Sequence, residues 1–203
     1  MINAIIFDLG NVIVKVDWGN FYEKLAEHSG KPIGFIKKYH QNSADSKNFE
    51  KGKINFKQFY GALDTDLNLK IGQNEFNKYY CSIFTLNNNV ANLIQKLKRK
   101  FRLVLLSNTD KLHFEFINNK FRIVNAFDDC VLSYEVGYRK PNPLIFINAI
   151  KKTKTLPFNC AYFDDIMEFV FIARLTGIKA FQYRTYAKLI NDLGKVGVSA
   201  KGL

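Results

Sequence analysis

The sequence predicts an α/β fold, a parallel sheet covered on both faces by helices, with a helical segment set into it near the start. Three observations predict it. Residues 3–8, "NAIIFD", form a short apolar run rich in β-branched residues and end in one carboxylate, Asp8. From about residue 90 onward, helical and strand patterns alternate. Between about 17 and 86 helical patterns recur and no strand pattern interrupts them.

The elements follow in order. After the first strand come four helical patterns, "WGNFYEKLAEH", "PIGFIKKYH", "NFKQFYGAL" and "QNEFNKYYCSIF". Turn signals at Ser29–Gly30–Lys31–Pro32 and Lys51–Gly52–Lys53 separate them. Aromatics recur at helical spacing here (Phe56, Phe59 and Tyr60; Phe76, Tyr79 and Tyr80), which predicts a helical core with a few rings left to line a pocket. A helix over Val90–Arg99 then precedes the strand "RLVLLS", Arg102–Ser107, and one near Lys111–Asn118 precedes "CVLS", Cys130–Ser133. A helix over Pro143–Lys151 precedes "CAYFD", Cys160–Asp164, and one over Met167–Thr176 precedes "KAFQY", Lys179–Tyr183. The division expected is 1–16 with 87–203 as an α/β core and 17–86 as a helical insertion.

Composition narrows the function classes. The 203 residues are 47% hydrophobic, enough for a sizeable core. No apolar run reaches the roughly 18–20 residues that span a bilayer, and the first apolar run is too short for a signal peptide. Cys81, Cys130 and Cys160 lie far apart with no CxxC spacing, so they are expected as reduced core residues in a cytoplasmic protein. The formal charge of +12 could serve a polyanion, but the lysines are spread along the whole chain. The densest cluster, "KLKRK" (Lys96–Lys100), closes a helix, where cations complement the helix dipole in solvent. The expected partner is a small phosphorylated anion, with neither nucleic acid nor membrane.

In a parallel sheet, ligands bind beyond the carboxyl ends of the strands. The first strand ends in Asp8, the next in Ser107–Asn108–Thr109, and the strand at Cys160 in Asp164–Asp165, while Lys140 stands in the loop "GYRKPNP". Three carboxylates converging on one crevice repel unless a cation lies among them, and hard oxygen ligands suit magnesium. With a hydroxyl and a lysine, such a set would hold a phosphoryl group facing a nucleophile.

Four stretches, "FDLGNV", "LLSNT", "RKPNP" and "YFDD", carry a resemblance to the haloacid dehalogenase superfamily, in its magnesium-dependent phosphatase division. The signal lies in their order and their placement at strand ends. The resemblance covers the whole chain and implies a Rossmann-like core with a helical cap over 17–86. With "FEKGKI" (Phe49–Ile54) and "LLSNTDKLH", the wording is most similar to the α-D-glucose-1-phosphate phosphatase group. The resemblance implies that Asp8 is the nucleophile, forming an aspartyl-phosphate. It implies Mg²⁺ held by Asp8, the Gly10 carbonyl and Asp165, with Asp164 in support. Ser107 and the backbone at Asn108 would grip phosphoryl oxygens, and Lys140 would neutralise charge between Asp8 and the phosphate.

Two positions depart from the family pattern. The aspartate usual two residues after the nucleophile, which protonates the leaving group, is here Gly10, a residue that could owe its place to a backbone angle only glycine tolerates. His113, His40 and Glu50 are candidate substitutes. A polar residue usual four positions after the metal-binding aspartate is here Phe169, which shares a helix face with Ile172, Ala173 and Thr176. The expected activity is a phosphatase acting on a small phosphorylated metabolite, most simply a sugar phosphate. Two other readings compete with it: a catalytically silent phospholigand-binding protein, and a metal-free 2-haloacid dehalogenase.

Overall fold

The strand β1 (Ala4–Phe7) is buried along its whole length, because both faces of the sheet it centres are covered. The computed structural model describes residues 1–199. Its main sheet is parallel throughout, in the order β5-β4-β1-β6-β7, with β4 Arg102–Ser107, β5 Asp129–Leu132, β6 Cys160–Asp164 and β7 Lys179–Gln182. A second, two-stranded antiparallel sheet joins β2 (Val14–Val16) to β3 (Phe84–Leu86). The sequence pattern gave no hint of this pair, since three residues are too few for alternation to register.

Side-chain alternation sorts the sheet into two apolar cores. Ala4, Ile6, Val104, Leu106 and Tyr162 face one side, against α9 (Pro143–Thr153) and α10 (Met167–Leu175). Ile5, Phe7, Leu103, Leu105 and Phe163 face the other. There they meet α6 (Asn88–Leu97), α7 (Lys111–Phe121) and α11 (Tyr186–Lys195), the last of which the pattern reading did not anticipate. The "KLKRK" lysines and Arg99 are exposed at the end of α6, as the dipole argument expects. Cys81, Cys130 and Cys160 are free thiols, the first and last buried in the packing.

Between β2 and β3 lie five helices: α1 Gly19–Ser29, α2 Ile33–Asn42, α3 Ala44–Glu50, α4 Phe56–Leu67 and α5 Gln73–Cys81. Four match the expected patterns. The seven-residue α3 was not expected, because about two turns carry no readable periodicity. Phe59, Tyr60, Phe76 and Tyr80 form the core of this layer, as the aromatic spacing predicts, with Phe49 of α3 stacked on Phe59 at 4.6 Å.

Polar contacts pin this layer to the sheet side. The Tyr80 hydroxyl donates to Asp110 Oδ2 at 3.0 Å, and His113 Nε2 meets the Tyr80 carbonyl at 2.9 Å. Ser133, at the start of the short α8 (Ser133–Val136), donates to the Glu50 carbonyl at 2.6 Å. Gly52 passes so close to Tyr134 that a Cβ there would lie 2.2 Å from the Tyr134 carbonyl oxygen, and its φ of +65° is left-handed. Glycine is required at that contact on both counts.

Candidate functional site

All the strand-end residues singled out in the sequence converge at the carboxyl edge of the sheet. Asp8 follows β1 directly, its N–H donating to the Phe163 carbonyl at 2.9 Å. The chain then makes a tight turn in which Ile13 and Val14 both donate to the Leu9 carbonyl at 3.0 Å. Asn11 adopts a left-handed φ of 53°, a conformation asparagine tolerates better than most residues. The turn aims Asn11 Nδ2 at Asp165 Oδ2, 3.1 Å away.

The centre of the site is an ion triad. Lys140 Nζ lies 2.7 Å from Asp8 Oδ1 and 2.6 Å from Asp164 Oδ2, and the lysine is only 2% exposed. The Tyr162 hydroxyl also bonds Asp164 Oδ2 and lies 3.2 Å from Lys140 Nζ. Asp164 Oδ1 takes the Ile166 N–H at 2.8 Å. Both Asp164 oxygens are therefore engaged by the protein, which suits a supporting role. Asp165 has one oxygen on Asn11 and is half-buried.

Lys140 is held in place by more than charge. Asn108 clamps its backbone from both sides, Oδ1 accepting the Lys140 N–H at 2.7 Å and Nδ2 donating to its carbonyl at 3.0 Å. The Phe169 ring stands 5.2 Å from Lys140 Nζ, a cation–π contact. Phe169 is thus partly packed on the core with Ile172, as its helix face predicts, and also faces the site.

The electrostatics reflect crowding. Burial pushes the Asp8 carboxyl up to about 7, with Lys140 opposing and Asp164 and Asp165 reinforcing. Burial also raises Asp165, against the Asn11 hydrogen bond. Burial alone would lower the Lys140 ammonium, but Asp8 and Asp164 more than reverse it and hold it above its ordinary value. One oxygen from each of Asp8, Asp164 and Asp165 falls within a 4.8 Å cluster. An all-oxygen set in which burial raises the carboxyls of Asp8 and Asp165 fits a hard divalent cation.

Two adjoining cavities meet here. One, of about 190 Å³, is lined by Asp8, Gly10, Asn108, Lys140, Asp165 and Phe169. The other, of about 230 Å³, shares Gly10 and Asn108 and reaches Ser107, then runs between the sheet edge and the helical layer. All three candidate proton carriers, His40, Glu50 and His113, line the second cavity. They differ in freedom. His113 Nδ1 faces Asp110 Oδ2 at 2.9 Å and Nε2 faces the Tyr80 carbonyl, so both ring nitrogens are used by acceptors. No edge of that ring is left to serve a ligand. Burial would raise Asp110, but His113 and the hydrogen bonds from His113 and Tyr80 hold it below the usual carboxylate range. Glu50 Oε2 pairs with Arg139 Nη2 at 2.6 Å, and burial outweighs that pairing and raises its carboxyl.

His40 takes the Tyr22 hydroxyl at Nδ1 (3.1 Å) and packs 4.7 Å from the Trp18 ring. Burial, helped by the charge of His113, lowers it from 6.5 to about 4. Folded protein therefore resists protonating His40 where unfolded chain accepts a proton, so stability is unaffected above pH 6.5 and lost as pH falls toward 4. Between pH 7.5 and 5, wild type is expected to lose about 2 kcal/mol relative to His40→Gln. Urea unfolding of both proteins at the two pH values measures it, and parallel losses would contradict it.

The expected glycine-only backbone at Gly10 is not found. Gly10 is absent from the left-handed positions, and an added Cβ would meet only Val16 Cγ2 at 3.6 Å, an ordinary contact. The sequence reading also missed Asn11, Tyr162 and the clamp by the Asn108 side chain. An Asn after a strand-ending glycine is a turn signal, and Tyr162 shares a strand face with Asp164 two residues on, so both could have been found.

Known proteins resemble this chain in sequence and in fold. The profile of the haloacid dehalogenase-like hydrolases matches residues 2–168. A D-ribitol-5-phosphate phosphatase from Bacteroides thetaiotaomicron is 26% identical over 194 residues, covering 90% of this chain and 92% of that protein. A haloacid dehalogenase family enzyme from the same organism, solved with magnesium and inorganic phosphate, superposes with a TM-score of 0.82 at 22% identity, covering 91% of this chain and 95% of that one. A predicted HAD-like family hydrolase from Porphyromonas gingivalis gives a TM-score of 0.83 at 20% identity, with 97% of this chain and 98% of that one covered.

Proposed function

Because the chain belongs to the haloacid dehalogenase-like hydrolase family, we propose that it is a magnesium-dependent phosphatase acting on a small phosphorylated sugar or sugar alcohol through an aspartyl-phosphate. The observation that carries this reading is the Asp8–Lys140–Asp164 triad beside Asp165, facing a cavity that adjoins the one lined by Ser107. The D-ribitol-5-phosphate phosphatase among its relatives supports the substrate class. The finer α-D-glucose-1-phosphate grouping stays an expectation. Residues 17–86 are assigned as the cap and 1–16 with 87–203 as the catalytic core, in keeping with five helices set between β2 and β3.

The residues divide the work as follows. Asp8 attacks phosphorus, so that a bond from its carboxylate to phosphorus forms as the bond to the leaving oxygen breaks. Lys140 favours the ionised form of Asp8 against burial and faces the phosphoryl oxygens. The Ser107 hydroxyl and the Asn108 N–H donate to those oxygens. Asn108 and Phe169 position Lys140, while Tyr162 and the Ile166 N–H orient Asp164. Asp8, the Gly10 carbonyl and Asp165 would hold Mg²⁺, with Asp164 behind them. When bound, the ion offsets the charge of the carboxylates and the phosphoryl group. Water then hydrolyses the aspartyl-phosphate. A metal-free dehalogenase has no use for three carboxylates within 4.8 Å of one another, which disfavours that reading.

With Gly10 in place of an acid and His113 fully engaged, the leaving oxygen departs with little proton help from the core. Wild type should therefore show kcat/KM rising steeply with leaving-group acidity across aryl phosphates, and only with Mg²⁺ present. Gly10→Asp has room for its Cβ and should flatten the series, adding about 10²-fold for the poorest leaving groups. No Mg²⁺-dependent phosphate release from any aryl or sugar phosphate would sink the phosphatase. A flat wild-type series with chemistry limiting would mean that a residue on the helical side donates the proton.

A further inference from the structure

Ser46 and Glu50 stand one helical turn apart on α3, so their side chains share a face. Both line the 230 Å³ cavity that opens onto Gly10, Ser107 and Asn108. Each carries an oxygen that the protein leaves without a hydrogen bond. Ser46 Oγ is buried and has no partner among the described residues. Glu50 Oε2 lies 2.6 Å from Arg139 Nη2 as an ion pair, yet makes no aligned hydrogen bond. Native proteins rarely leave buried oxygens unsatisfied, and the exceptions concentrate where function supplies the partner.

The rest of the cavity tells what that partner must be. Trp18, Tyr80 and Phe84 supply ring surface, and His40 presents an imidazole whose Nδ1 takes Tyr22 and whose Nε2 has no partner among the described residues. A mainly polar lining with ring surface between its hydrogen-bonding atoms suits a chain of carbons that each carry a hydroxyl. The volume is that of roughly seven or eight waters at about 30 Å³ each, room for a chain of about five carbons. The Glu50 carboxylate, paired with Arg139, sets a further condition: it accepts hydrogen bonds, and an ionised carboxylate on the leaving group has none to donate to it.

Resting on the phosphatase reading, we propose that Ser46 and Glu50 determine specificity: they read hydroxyls of an uncharged polyhydroxylated leaving group, and Glu50 rejects acidic ones. A site built around unpaired polar atoms discriminates strongly against an analogue that cannot pair them.

The test compares kcat/KM, with Mg²⁺, for D-ribitol 5-phosphate, for pentyl phosphate (the same chain length without hydroxyls) and for a five-carbon sugar acid phosphorylated at the far end from its carboxylate. Ratios between substrates are used, so the folded fraction of each variant cancels. Wild type should prefer the polyol over pentyl phosphate by at least about 100-fold. Ser46→Ala should cut that preference about 10-fold, and Glu50→Gln should raise the sugar acid relative to the polyol about 10-fold. A wild-type preference below about threefold, or ratios unchanged in both variants, would overturn the proposal while phosphatase activity stands. If no phosphate ester is turned over at all, the phosphatase reading falls and the proposal falls with it.

Discussion

Asp8→Asn is expected to lower kcat by at least roughly 10⁴-fold, because an amide is no anionic nucleophile. The same substitution should leave the protein more stable in chelator. The Asp8 carboxyl is raised from 3.8 to about 7, chiefly by burial, so folded protein keeps a proton that unfolded chain releases. The sign follows: stability declines as pH rises from about 4 to about 7, and the full cost of the ionised group is present above that. The cost is on the order of 2–4 kcal/mol, and a neutral Asn of similar volume removes it. Asp164 would still hold Lys140 at 2.6 Å, so the triad loses its strained member and keeps its pair. Denaturant unfolding at pH 8 in chelator should place Asp8→Asn above wild type, and at pH 4.5 the two should converge. Millimolar Mg²⁺ should close the gap from the wild-type side. A variant less stable than wild type at pH 8 in chelator would mean that the Lys140 pairing outweighs burial.

Two such opposite effects from one side chain, loss of rate with gain of stability, mark a residue whose position costs stability for the sake of chemistry. Sequence reading could find it because such a residue interrupts a pattern. "AIIF" and "CAYF" are unbroken apolar runs, and each ends abruptly in carboxylate. Ser107 and Lys140 were legible the same way, at a strand end and in a loop just ahead of two prolines. The parallel sheet was legible because its strands are buried on both faces and alternate with amphipathic helices. What stayed hidden depends on partners distant in the chain. Nothing near Glu50 announces Arg139, 89 positions on, and nothing near Tyr80 announces Asp110. His113 was a fair candidate for the missing acid until the Tyr80 carbonyl was found against its second nitrogen. Ser46 sits in a helix too short to show a face, so its orphan hydroxyl had no sequence signature at all. The glycine-only angle expected at Gly10 instead falls one residue later, on Asn11. A left-handed residue in that turn is a property of the loop, which the dipeptide alone assigns to either position.

Lys140→Met should be the most destabilising single change at the site. The methionine preserves an unbranched apolar stem, so packing loss is small, and the effect isolates the ammonium. Without it, Asp8 and Asp164 face each other buried, with Tyr162 and the Ile166 N–H as the remaining donors to Asp164. Breaking a buried ion pair by removing one partner typically costs about 3–5 kcal/mol, and here one lysine serves two carboxylates. The carboxylates can escape by protonating, and Asp8, already raised to about 7, goes first. The loss should therefore be largest at pH 8 and smaller at pH 5.5, opposite in sign to the effect of Asp8→Asn at pH 8. Mg²⁺ should recover part of the stability by supplying charge, but not the rate. Turnover should remain down by roughly 10²–10³-fold, since a group that neutralises the phosphoryl oxygens is gone. The decisive comparison is the double variant in chelator at pH 8. With Asp8 also changed to Asn, one of the two orphaned charges is removed, so Asp8→Asn should stabilise the Lys140→Met protein by about 2 kcal/mol or more beyond what the same change gives in wild type. If the two changes simply add, measured from wild type, then Lys140 and Asp8 do not act on each other, and the triad would be an arrangement without energetic coupling.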